Sequence, residues 1–339
     1  MNTHHLRQDI NNFCNTVGKD PLLVQGAGGN VSYKIADELW VKASGTSLAE
    51  AREKNIFVPV DLELIKNHIQ ANNFSFKPSA KDNTELRPSI ETLLHALMPQ
   101  KIVVHLHAIE ILSYLVRKDV GEINKKIPNI NSAFVEYLKP GADLAKAIFF
   151  EINKKQNVNV IFMKNHGIVF AADSMAEINK ILIILLDSFK PKVFSEPQSG
   201  DIIIKDNPFK EIGYKQSKNK KIHLLATKPI YLNRLIGDWA LCPDHVVFLG
   251  DSAELIFNED EIDNLYKRDA PLPPYIFYIG VGVFESPNLN NAQEEQLLCY
   301  CELLFRQQSD EKLDSLSLDQ VNDLLNWDAE KYRRKLLNL

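Results

Sequence analysis

The chain has 339 residues, of which 45% are hydrophobic and 24% charged, with a formal net charge of −5. That length predicts two domains, or one large domain with an elaboration, built on a core of ordinary size. The acidic balance lacks the basic footprint of a nucleic-acid binder, so no nucleic-acid partner is expected.

The N-terminal MNTHHLRQDI has no apolar signal core. The longest apolar stretch, residues 181–186, falls far short of the roughly 20 residues that cross a bilayer, so no membrane partner is expected. Cys14, Cys242, Cys299 and Cys301 are too irregular for a disulfide framework and form no CxxC pair. They read as reduced thiols in a cytoplasmic protein.

Along the chain, Leu6, Ile10 and Phe13 place a helix over residues 5–17. A glycine-rich turn, Gly26-Ala27-Gly28-Gly29, leads into strand-like runs at 30–34 and 38–42, which read as a hairpin. Residues 61–71 look helical. Pro88 predicts a helix start that continues through 91–98 with Leu93, Leu94 and Leu97 inward. A strand at 101–106, a helix at 108–116 and a helix at 143–153 follow. Residues 158–163 read as a buried strand, resumed at 168–171 after a polar break, and Ser174 is placed to N-cap a long apolar helix over 174–189.

Composition then shifts. Residues 191–222 are rich in proline, glycine and lysine and read as a linker or irregular excursion, with the basic run 215–221 as a solvated loop. From 223 onwards the pattern predicts short strands at 246–249 and 276–283 and helices at 291–306, 318–325 and 329–337. The expected division is therefore a domain over 1–190, a linker over 191–222 and a C-terminal extension over 223–339.

The chemistry-bearing residues lie mostly in the first part. His105 and His107 are two apart on a strand, so both rings point to one face. Neutral imidazole suits zinc, but two strand histidines also occur as a satisfied polar pair. His166 ends a buried strand just before Gly167. Three histidines with an open fourth position describe a catalytic zinc site, whereas His166 alone reads as a cap on the turn. Glu91 follows Arg87-Pro88-Ser89-Ile90. It serves either as a charge favoured by the helix dipole or as a general base beside a metal. The turns around Gly28-Gly29-Asn30 and Ser44-Gly45-Thr46 could together cradle a phosphate. Neither has the spacing of a nucleotide-binding loop.

The order GAGGNVS, WVKASGTS, RPSIE, HLH, NHG resembles the class II aldolase/adducin superfamily over roughly residues 5–190. The pieces Leu241-Cys242-Pro243-Asp244-His245 and Gly280-Val281-Gly282-Val283-Phe284 resemble the extended aldolase half of bifunctional rhamnulose-phosphate aldolase/dehydrogenase proteins. The resemblance implies an α/β fold: a three-layer domain with a mostly antiparallel sheet flanked by helices, plus a smaller C-terminal α/β extension. It implies a homo-oligomer, commonly a tetramer.

Carried over by position, His105, His107 and His166 would hold Zn2+. Glu91 would be the acid/base, able also to touch the metal when substrate is absent. Asn30, Ser44, Gly45 and Ser89 would hold the phosphate of a sugar substrate. Ile90 stands where many relatives have a second hydroxyl, and no tyrosine matches the proton donor of some aldolases; Tyr114 and Tyr137 are candidates by proximity in sequence. His245, after Pro243, is a candidate donor to phosphate or a substrate hydroxyl, or else it ties down a loop. The implied reaction is cleavage of a sugar phosphate through a metal-bound enediolate. The same site would serve a sugar-phosphate 4-epimerase or a sugar-acid phosphate decarboxylase, and an adducin-like scaffold would keep the fold without the chemistry.

Overall fold

The structure is a computed structural model that describes residues 3–82, 84–191, 207–267 and 272–336. Residues 192–206, nearly half of the expected linker, lie outside the described residues.

Helix α1 (Thr3–Gly18) precedes β1 (Asn30–Ile35), β2 (Glu38–Lys42) and β3 (Phe57–Asp61). Next come α2 (Leu62–Gln70), α3 (Thr92–Leu97), β4 (Ile102–Leu106), α4 (Ile109–Leu115), β5 (Ser132–Val135) and α5 (Ala142–Lys154). The hairpin β6 (Val160–Met163) and β7 (Gly167–Ala172) leads to α6 (Met175–Phe189), which Ser174 N-caps by accepting from the Glu177 N–H. The seven strands form one sheet in the order β3-β2-β1-β4-β7-β6-β5. All neighbours are antiparallel except β5 and β6.

Period-two alternation puts a different core on each face of this sheet. Val104, Leu106, Phe162 and Phe170 pack with α1, α4 and α6. The intervening Val103, Ile161, Val169 and Ala171 pack with α3 and α5. Leu39, Val41, Val58 and Val60 face α2 and α3. The result is a helix–sheet–helix sandwich.

The C-terminal region contributes β8 (Lys215–Gln216), α7 (Lys220–Thr227), α8 (Pro229–Gly237), α9 (Pro243–Leu249), β9 (Glu254–Ile256), α10 (Glu259–Tyr266), β10 (Tyr275–Tyr278) and β11 (Gly282–Glu285). Helices α11 (Asn291–Phe305), α12 (Leu318–Leu325) and α13 (Asp328–Leu336) follow. Its strands form a second sheet in the order β8-β11-β10-β9. Leu297, Tyr300, Leu303 and Leu304 of α11 share one core with Leu6 and Ile10 of α1 and with α4. The extension thus enlarges the first core as well as building its own.

Several sequence expectations are corrected. Residues 246–249 are not a strand; they finish α9, which Pro243 starts and whose residues are all buried. An apolar run of four fits a helix buried all round as well as a strand. Residues 276–283 are two antiparallel strands, β10 and β11, with a turn between them. The basic run 215–221 is not a loop: it supplies β8 and the first turn of α7, which Asn219 caps. Pro88 does not begin a helix but forms a β-bridge with Ala43, and α3 starts after Glu91.

Candidate metal and substrate site

Strand β4 is the central strand of the sheet, and its C-terminal end carries the site. His105 pairs across to Asn30 on one side and to Val169 on the other. His105 and His107 lie on the α3 side, as the alternation requires. His166 is delivered by the β6–β7 turn, where Asn165 adopts φ 53°, a left-handed conformation that asparagine tolerates. Gly167 lets the turn lie against β4, because a Cβ there would overlap the Leu106 carbonyl oxygen. One ligand-type nitrogen from each of His105, His107 and His166 falls within 4.8 Å of the other two, and all three residues are buried.

The polar neighbours of the two rings show which nitrogens face the centre. His105 Nδ1 lies 2.9 Å from the Ile168 carbonyl oxygen and His107 Nδ1 lies 3.3 Å from Asp244 Oδ2. Both are acceptors, and a proton on each Nδ1 would leave a lone pair on each Nε2 for a metal. These two Nε2 atoms face one another at 3.1 Å, close enough for one ring to donate to the other or for both to share a cation.

Glu91 closes the set from α3. Its Oε1 is 3.5 Å from His105 Nε2 and 3.3 Å from His166 Nε2. Donors on a tetrahedral zinc, at 2.0–2.1 Å from the ion, stand about 3.3 Å apart. The observed 3.1, 3.3 and 3.5 Å therefore match the edges of such a site. The Glu91 carboxylate makes no capping hydrogen bond at the start of α3. It is aimed at the histidines, not at the helix.

Electrostatics agree with ligand chemistry. Burial pushes the His105 ring down to about 3 despite the nearby Glu91 carboxylate, so the ring is neutral and able to coordinate. Burial alone would raise the Glu91 carboxyl, but His105, His166 and His95 outweigh it and hold the group ionised, well below the usual carboxylate range.

Above the histidines lies a cavity whose walls include Gly28, Gly29, Lys42, Ser44, Gly45, Ser89, Glu91, His107 and His166. Ser89 Oγ accepts from the Glu91 N–H at 3.2 Å, and the Ser44 N–H donates to the Arg87 carbonyl at 2.9 Å. The two turns are tied together by Lys42, 3% exposed, whose Nζ donates to the Ala27 and Thr46 carbonyls at 3.2 and 2.7 Å. Asn30 is buried beside His105 and is not among the residues lining the cavity. Ile90 does line it.

The sequence reading did not single out Lys42, Asp244 or Glu330, although all three line the cavity. Lys42 ends β2 inside a quoted motif, and a strand lysine that must be buried was the available signal. Asp244 stands in the quoted 241–245 piece, where the sequence points to His245 instead, and Glu330 comes from a C-terminal stretch with no quoted motif. His245, next to Asp244, is fully buried in the first turn of α9, edge-on to Tyr300 at 5.5 Å between centroids, and does not line the cavity. Of the Pro-Asp-His triplet, the proline and the aspartate face the cavity. Tyr114 packs against Phe189, and Tyr137 is packed with the cluster around α12; neither lines the cavity.

A helix-flanked, mostly antiparallel sheet with a histidine cluster at the end of its central strand is the class II aldolase type of α/β architecture. Residues 8–190, more than half of the chain, match the class II aldolase and adducin N-terminal domain, and the chain belongs to that family.

Among relatives, it is similar to the L-fuculose phosphate aldolase of Methanocaldococcus jannaschii, 27% identical over 164 residues, 44% of this chain and 75% of that one. It is also similar to an uncharacterized oxidoreductase, YuxG, of Bacillus subtilis (strain 168), 30% identical over 171 residues. That match takes in 46% of this chain but spans only 25% of the relative. A solved structure of the N-terminal class II aldolase domain of a conserved Thermoplasma acidophilum protein aligns at 27% identity and a TM-score of 0.46. The alignment covers 54% of this chain and 91% of that one. Among the described residues, no helix is long and apolar enough to cross a membrane.

Proposed function

We propose that this chain is a zinc-dependent aldolase that cleaves a phosphorylated sugar, with His105, His107 and His166 holding the ion. The observation that carries this reading is the convergence of buried ring nitrogens of His105, His107 and His166, with Glu91 Oε1 3.5 and 3.3 Å from two of them. When bound, zinc supplies Lewis-acid polarisation of a substrate carbonyl.

The chain's own residues do the rest. Glu91, held ionised, takes a proton from the carbon beside the carbonyl in the condensation direction. In cleavage, the hydroxyl on the departing carbon gives up its proton as the carbon–carbon bond breaks toward the carbonyl. Glu91 takes up a proton and delivers it to the carbon beside the carbonyl, so the net transfer is from that hydroxyl to that carbon. The paired turns, with Ser44, Gly45 and Ser89 on the cavity wall and the Lys42 ammonium between them, bind the phosphate and fix the sugar against Glu91. Asn30 lies buried behind that wall, opposite His105 in the strand register. The name of the oxidoreductase relative carries no activity over, since three quarters of that protein lies outside the match.

The test is a panel of phosphorylated ketoses and sugar-acid phosphates offered to the zinc-loaded full chain. We expect cleavage of a ketose 1-phosphate into dihydroxyacetone phosphate and an aldehyde, with inorganic phosphate as a competitive inhibitor. Epimerised or decarboxylated products would assign the same site to a different reaction. An unphosphorylated ketose turned over equally well would remove the phosphate assignment.

A further inference from the structure

Asp244 lies outside the family-matched segment, on α9, yet its Oδ2 is 3.3 Å from His107 Nδ1. That is the ring nitrogen opposite the one that faces His105. The aspartate is 4% exposed, and Gln296 of α11 donates to the same carboxylate oxygen at 3.4 Å. A Cβ on Gly28 would come 3.2 Å from His107 Nδ1 and 3.4 Å from Asp244 Oδ2. The glycine-rich turn therefore leaves room for this pair as well as shaping the cavity.

We infer that Asp244 is a positioning residue for the metal site. It accepts the His107 Nδ1–H, fixes the tautomer and plane of that ring, and presents the Nε2 lone pair to the centre. The inference rests on the zinc reading above. A carboxylate behind a ligating imidazole raises its basicity and holds its orientation, and losing such a partner typically weakens metal binding about 10- to 100-fold.

The rest of the C-terminal region acts in the same direction. Asn165 Nδ2, beside His166, donates to the Leu241 and Asp314 carbonyls at 2.9 and 2.6 Å. The ligands come from one region of the chain, and the other adds to their support at His107 and at the turn that carries His166.

The experiment strips metal from the full chain with a chelator and titrates zinc against a chromophoric competitor. Wild type is compared with His105→Ala, Asp244→Asn, Asp244→Glu and Gln296→Leu. We expect about one zinc per wild-type chain, none for His105→Ala, and a 10- to 100-fold weaker site for Asp244→Asn. Asp244→Glu should recover part of the loss, and Gln296→Leu should weaken binding less than Asp244→Asn. Cobalt(II) in place of zinc should show shifted visible absorption in Asp244→Asn, a readout that a merely structural residue would leave alone.

Equal affinity and equal cobalt spectra in wild type and Asp244→Asn would overturn the inference while leaving the zinc site standing. A wild-type chain that binds no zinc would overturn the zinc reading itself. Should Asp244→Asn fail to fold, unchanged affinity in both folded Asp244→Glu and Gln296→Leu would overturn the inference.

Discussion

The two parts of the molecule treat their polar residues differently. In the family-matched part, polar groups converge: His105, His107, His166 and Glu91 meet in a centre from three separate elements. In the C-terminal part, polar groups brace. Glu295 accepts from the Gly26 N–H at the glycine-rich turn, Asp314 pairs with Lys164 at 2.8 Å, and Arg306 joins Glu110 at 2.9 Å. The difference teaches that a cluster of polar side chains can be encoded in one stretch of chain and braced by another that lies outside the family match.

The largest expected effect tests the convergent part. His166→Ala removes one of the three histidines, so zinc content should drop from about one per chain to near zero. Turnover of the zinc-loaded enzyme should fall by roughly a thousandfold or more. Metal analysis beside circular dichroism reads this, and full activity in a metal-free protein would break the comparison at its root. Glu91→Gln keeps the shape and loses the base. Turnover should fall roughly 10²- to 10⁴-fold while zinc is retained, which separates proton transfer from metal holding.

The next effect asks whether the two parts are one folding unit. Leu297 on α11 is fully buried in the same core as Leu6 and Ile10. Leu297→Ala should cost about 2–5 kcal/mol, seen as a lower Tm in a single transition. Two separate transitions, with the N-terminal one unmoved, would show that the shared core is only a contact. For the same reason, deleting residues 223–339 is expected to destabilise the remaining domain by exposing the α1–α4 face.

The smallest effect is on pH dependence. Burial depresses His95 to about 4 and His245 to about 3, against 6.5 for the free group. Folded values below the unfolded value mean that the unfolded chain binds more protons as pH falls. The stability tied to these neutral rings is present above pH 6.5 and is lost progressively on acidification. Between pH 6.5 and 5 each ring should cost about 1.5 kcal/mol. Thermal melts of the zinc-free protein should show the decline, and His245→Gln should flatten it.

Much of this was legible in the sequence because it is local. Strand alternation put Val103 and His105 on one face of β4 and Val104 and Leu106 on the other. The glycine-rich turn, the hairpin at 30–42 and the Ser174 cap follow from backbone preferences that act within a few residues. The histidine pair's spacing of two dictated a common direction.

What only the tertiary structure decided is everything that depends on long-range packing. Residues 246–249 became a helix because α9 is enclosed by α11 and α12, and an apolar run of four carries no period to announce it. Lys42 became buried because two turns supplied carbonyls to its ammonium. Asp244, not His245, reached the site because the first turn of α9 directs one residue to His107 and its neighbour to Tyr300. The sequence by itself determined which side chains could bind a metal. Which of them are oriented to do so was settled by contacts between residues distant in the chain, from 63 positions for His105 and Ile168 upward, and no local pattern encodes those.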